Sequence, residues 1–297
     1  MPGDDVPYDT KLITWEKLPQ WMKDNEYILT AYRKATKSYA SSFRSSTHVH
    51  NETVNIWTHL LGAALFAYKL YIFNTSYHLI PLPLGDRIAV SIYYFGVINC
   101  FTLSTSYHIF SNHSKEVHKF GNELDHIGVV LVIYGSTLPA TYFEFYHQSA
   151  LQYLYWTVST LFAAASAVFT LRPKFRTPAY RRARFYMYTL LGLSVFFPVI
   201  HGILLDGYVR ISRRMNLEYL IRLGILNFSG AAIYAARIPE RWSPRTFDVV
   251  GASHQLMHVL VVLGALKWET GLLRCVKYYE AGRLALRDDY HQHRLGI

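Results

Sequence analysis

The chain has 297 residues, of which 51% are hydrophobic, 16% aromatic and only 17% charged, against about 25% charged in an ordinary soluble domain. Its formal charge is +10, but no nucleic-acid motif accompanies the Lys and Arg, which sit between apolar blocks. That pattern reads as membrane topology and argues against a nucleic-acid partner.

The first fifty residues are polar and charged, without a short apolar core ahead of a cleavage site, so no removed signal peptide is expected. Residues 18–39 set Trp21, Tyr27, Ile28 and Tyr32 among charges and read as an interfacial amphipathic helix within an N-terminal segment, residues 1–52. A helix crossing a bilayer needs about 20 mostly apolar residues. Seven blocks qualify, at 54–73, 86–110, 124–145, 151–171, 185–205, 217–236 and 249–272. They are too long for barrel strands and do not alternate. The expectation is an all-α, seven-transmembrane helix bundle over residues 53–272, followed by a C-terminal tail, 273–297. In that tail Arg283, Arg287, Asp288 and Asp289 mark exposure, and His291 and His293 read as solvated rather than metal-binding. Cys100 lies inside an apolar block and Cys275 just beyond the last one, with no CxxC pair. Neither a disulfide framework nor a thiolate metal site is expected.

Lys and Arg concentrate in the N-terminal segment and in the second, fourth and sixth loops, the fourth holding Arg172, Lys174, Arg176, Arg181, Arg182 and Arg184. The positive-inside rule then places the N-terminus in the cytoplasm and the C-terminus outside or in a lumen.

Ionisable residues inside a membrane need a partner or a purpose. His254 and His258, at spacing i, i+4, share one helix face, as a metal pair or as part of a polar cavity wall. His108 ends the second block one turn after Ser104. Descending and ascending spans bring all three histidines to matching depth, where they form either a three-nitrogen zinc site or a hydrogen-bonded cluster. Asp125 begins the third block near the same depth. It reads equally as a partner for water at the metal and as an acid favouring a helix N-terminus. Glu52, Asn55 and His59 share a face of the first span. Glu52 suits the helix dipole, and the other two suit bonds between helices. His126, His201 and Glu144 are assigned no role, and His113 and His118 are expected in a solvated loop.

These residues resemble the progestin and adipoQ receptor family, which includes adiponectin receptors, yeast zinc-homeostasis membrane proteins and haemolysin III relatives. The resemblance spans nearly the whole chain. It rests on LPQWMKDNEYILTAYR, HNETVNIWTHLLGA (in a form similar to fungal members), STSYHIFSNHS with ELDHIG, and RIPERWSPRTFDVVGASHQLMHVLVV. One departure is Lys34, where many members have proline. The long cytoplasmic extension of the animal receptors is also missing, so their tail-mediated partners are not carried over. The resemblance implies that His108, His254 and His258 ligate zinc, that Asp125 holds the water at the metal and that Ser104 supports the site. It also implies two functions. One is a zinc-dependent amidohydrolase of the ceramidase type, with a membrane lipid such as ceramide as substrate. The other is a receptor with a structural zinc site and an extracellular ligand. A transporter is less expected, since no internal repeat is apparent. The location expected is the plasma membrane or the endoplasmic reticulum.

Overall fold

A computed structural model describes residues 11–76, 82–172, 175 and 180–295. Its helices are α1 (Tyr39–Ser45), α2 (Thr53–Ser76), α3 (Leu84–Phe110), α4 (Lys115–Glu144), α5 (Ser149–Leu171), α6 (Arg181–Leu193), α7 (Phe196–Asp206), α8 (Tyr208–Met215), α9 (Leu217–Ala236) and α10 (Ser253–Leu295). Seven stretches are long and apolar enough to cross a bilayer: α2, α3, α4, α5, the α6–α7 pair over Tyr186–Asp206, α9, and Ser253–Ala285 of α10. The protein is an integral, multi-pass membrane protein. Leu60, Leu61, Leu65 and Tyr68 on α2, with Leu204 and Leu205 on α7, are exposed on the bundle surface, as lipid-facing side chains must be.

Two boundaries differ from the sequence reading. The third span starts at Lys115 rather than near residue 124, because Ser114 caps it by accepting from the Val117 amide. Asp125 therefore lies well beyond the first turn, which removes its reading as a helix-dipole partner. The same extension takes His118 out of the expected loop. Its Nδ1 lies 2.9 Å from the Ser111 carbonyl oxygen, and its ring packs edge-on to Trp21 and Tyr107. His113 is not simply solvated either, since it stacks on Tyr39 at 4.1 Å. At the other boundary, α10 continues as one helix through the segment expected as a tail. No proline follows Pro244 to stop it. Cys275 and Val276 are fully buried, and the Tyr279 hydroxyl donates to the Phe143 carbonyl at 2.7 Å. The side chains of Arg287, Asp288, Asp289, His291 and His293 lie outside the described residues, as do Lys174 and Arg176 in the fourth loop.

The expected amphipathic helix over residues 18–39 does not form. That stretch instead holds the short turn Gln20–Met22 and an extended run, with an isolated bridge between Ile13 and Tyr32. Ala31 and Lys37 take positive φ, which interrupts any helix. The cause is tertiary. Asp248, between α9 and α10, accepts from the Leu29 and Thr30 amides and from the Thr30 hydroxyl at 2.6–3.2 Å. Glu240 accepts from the Asn25 side chain and from the Ser253 amide and hydroxyl. The N-terminal segment is thereby fastened across one end of the bundle, the proximal end. Arg33, 2% exposed, completes the seam: its guanidinium donates to the His108 and Ile109 carbonyls and to the Ser45 and Ser111 hydroxyls. A cation there also complements the C-terminal end of α3.

α3 and α4 pack closely because glycines recur along α4 at spacing seven. Gly121 faces Tyr107, Gly128 faces Cys100 and Gly135 faces Gly96. A Cβ on Gly128 would lie 3.0 Å from the Cys100 Cα, so only glycine lets the backbones approach this far. This contact sets Ser104 of α3 and Asp125 of α4 on the wall of one cavity.

Candidate metal centre

His108 sits in the last turn of α3, which leads to the proximal end, and His254 and His258 sit in the first turns of α10, which starts from it. The three rings converge, with centroids 4.8–5.1 Å apart. Each offers one nitrogen within 4.8 Å of the others. Tyr234 packs edge-on to His254 at 4.9 Å.

The donor set fits a metal ion. His108 Nε2 and His258 Nδ1 are buried with no hydrogen-bond partner among the described residues. A buried imidazole nitrogen without a partner costs about 1–3 kcal/mol, and a cation at the centre of the three rings would remove that cost. A hydrogen-bonded cluster, the other reading of these histidines, would instead pair those nitrogens with one another. Three nitrogen donors suit zinc and related transition metals.

A cavity of about 270 Å³ opens on one side of the rings. Ser104, Asp125, His254 and His258 line it at the proximal end, and Val132, Phe196 and Leu223 continue it into the bundle. The structure thus brings all five sequence-derived site residues together. The Ser104 hydroxyl is buried there without a hydrogen-bond partner among the described residues. A smaller cavity of about 110 Å³ is lined by His108 and His254 together with Asp24, Asn25, Glu52 and His118. Tyr234 and His254 line both cavities.

α2 contributes more to this site than its sequence suggests. Glu52, just before that helix, lies 2.7 Å from His108 Nδ1 and accepts from the Asn55 amide nitrogen at the same distance. Burial pushes the Glu52 carboxyl up, but its interaction with His108 outweighs that and holds the carboxyl well below the usual carboxylate range. His59, buried, is sandwiched between Phe101 at 4.5 Å and His258 at 3.8 Å. Its stack on the His258 ring goes beyond a bond between helices. The i, i+3, i+7 pattern of Glu52, Asn55 and His59 was the available signal, but spacing alone does not say which neighbour the face meets.

His126 lines the larger cavity and places its Nδ1 2.7 Å from the Asn122 carbonyl oxygen. His201 and Glu144 belong to the far end. His201 lies against Tyr155 at 3.1 Å, and Glu144, fully buried, lies 3.7 Å from Arg214.

The profile of haemolysin-III-related proteins matches residues 47–268, which include every residue of this centre. The chain belongs to the haemolysin-III-related family. Among relatives in it, the Drosophila melanogaster adiponectin receptor protein is 34% identical over 90% of this chain and 60% of its own length. The ADIPOR-like receptor IZH2 of Saccharomyces cerevisiae is 32% identical over 89% of this chain and 83% of its own. Progestin and adipoQ receptor-like protein 1 of Caenorhabditis elegans is 32% identical over 86% of this chain and 58% of its own. The chain thus spans about 60% of the length of the two animal relatives and most of the fungal one. The resemblance drawn from the motifs is the family found, and its members include fungal ones.

Proposed function

We propose that the protein binds zinc through His108, His254 and His258 and hydrolyses an amide of a membrane lipid, of the ceramide type. One observation carries this reading. Three imidazoles converge, two of them with buried nitrogens that have no partner among the described residues, and His254 and His258 line a cavity that also holds Asp125 and Ser104 and continues between apolar side chains. Zinc held by three protein nitrogens supplies a Lewis acid with an open position, which polarises a carbonyl and lowers the pKa of water towards about 7.

The chain's own residues do the rest. Asp125 accepts one proton from water as its oxygen adds to the amide carbon. It returns that proton to nitrogen as the C–N bond breaks, leaving a carboxylic acid and an amine. Ser104 offers a hydroxyl that no group among the described residues claims, free to orient water or the substrate carbonyl. Val132, Phe196 and Leu223 receive the acyl chain and keep bulk water out. The Lys and Arg distribution supports a cytoplasmic proximal end, with the reaction in the inner leaflet.

Metal content of the purified protein tests the first half. About one zinc per chain is expected, falling to near zero in His254→Ala. A labelled ceramide tests the second half: the wild type should release fatty acid, and Asp125→Asn should retain zinc but lose release by about 100-fold or more. Zinc-loaded wild type that releases nothing would exclude the hydrolase.

The second reading is a receptor, favoured by the names of the relatives. There the zinc ties α3 to α10 and an external ligand acts through the bundle. It expects Asp125→Asn to leave signalling intact.

A further inference from the structure

We infer that Glu52 is the positioning residue of the metal centre, fixing the tautomer and orientation of His108 through the ring nitrogen that faces away from the other two histidines. The inference rests on the zinc reading above. A neutral imidazole carries one N–H, and the hydrogen bond at one nitrogen decides which lone pair is left for a metal. His108 Nδ1 lies 2.7 Å from Glu52 Oε2. A carboxylate can only accept, so the proton sits on Nδ1 and the Nε2 lone pair is free. Nε2 is the nitrogen that is buried without a partner among the described residues.

Glu52 is itself held in place. The Asn55 side-chain amide donates to the same Oε2 at 2.7 Å, and the Glu52 backbone amide donates to His50 Nδ1 at 3.0 Å. On the opposite side, Arg33 donates to the His108 carbonyl at 2.5 Å. The ligand is thus clamped at ring and backbone by two groups from the N-terminal half of the chain. The sequence reading gave Glu52 only a helix-dipole role and Arg33 no role in the site. A carboxylate serving only as a helix-dipole partner at the start of α2 would need no contact with the His108 ring.

The test measures zinc affinity of the full-length protein by competition with a chelator, for wild type, Glu52→Ala and Glu52→Gln. Cobalt-substituted spectra and thermal melting of the metal-free forms accompany it. Loss of such a carboxylate typically weakens metal binding about 10–100-fold, and that loss is expected for Glu52→Ala. Glu52→Gln keeps an acceptor oxygen and should recover most of the affinity, which also guards against a misfolded alanine variant. The visible cobalt bands should shift in Glu52→Ala while the metal-free melting temperature stays near wild type. Unchanged zinc affinity and bands in Glu52→Ala would overturn the inference alone. So would affinity that falls only in step with metal-free stability in both variants. A wild type that binds no zinc overturns the zinc reading and this inference with it.

Discussion

Arg33 shows how one buried cation organises an end of a membrane bundle. Its guanidinium meets carbonyls at the C-terminal end of α3, which have no partner within the helix. Arg33→Ala leaves these acceptors buried and should cost about 3 kcal/mol, a drop in detergent melting temperature well beyond that of the exposed Lys17→Ala. Equal melting of the two variants would show that the N-terminal segment is held by other contacts. Next to it, His50 is fully buried and accepts the Glu52 amide on Nδ1. Burial first, then the Arg33 charge, push its imidazole down to about 3. The sign follows from linkage. The unfolded chain takes up this proton below about 6.5 and the folded chain does not, so the stability present above that pH is lost as pH falls towards about 3. Between pH 7 and pH 5 the loss from this group is about 2 kcal/mol. His50→Gln should flatten the melting-temperature profile over that window, and a profile identical to wild type would remove His50 as the cause.

Helix packing decides whether the separate histidines meet. Close approach of α3 and α4 depends on the Gly128 contact with Cys100. Gly128→Ala puts a methyl group against backbone, which cannot rotate away. The expected cost is about 1–3 kcal/mol, with weaker zinc binding as α3 and its His108 retreat. Gly282→Ala in α10 meets nothing within 4 Å among the described residues and should be neutral or slightly stabilising. If both variants melt alike, the glycine contact does not control the separation. The break between α6 and α7 has a local cause, because Pro198 lacks the amide that would bond back to Ser194. The start of α4 was also open to a local reading through Ser114. The fate of residues 18–39 was not. Aromatic residues among charges suggested an amphipathic helix, and Asp248 and Glu240, far along the chain, took the hydrogen bonds that residues of this stretch could offer.

Across the molecule, the proposed zinc joins spans that are distant in sequence, so its removal should be felt globally. A ligand present at about 100 times its dissociation constant stabilises the folded state by about 2.7 kcal/mol. A strong chelator should therefore lower the melting temperature of the wild type and leave His254→Ala unaffected. A wild-type melting curve indifferent to the chelator would mean that no metal couples to the fold. The seven spans were legible in the bare chain because lipid demands long apolar helices whatever their neighbours are. His108, Asp125, His254 and His258 could be proposed at one depth because alternate spans run in opposite directions. Azimuth was not available, since period and length say how deep a residue lies but not which helix its face meets. Packing through Gly128 and the anchoring of the N-terminal segment by Arg33 set that angle. They turned Glu52 from a helix-end acid into a partner of His108, and His59 from a tie between helices into a ring stacked on His258.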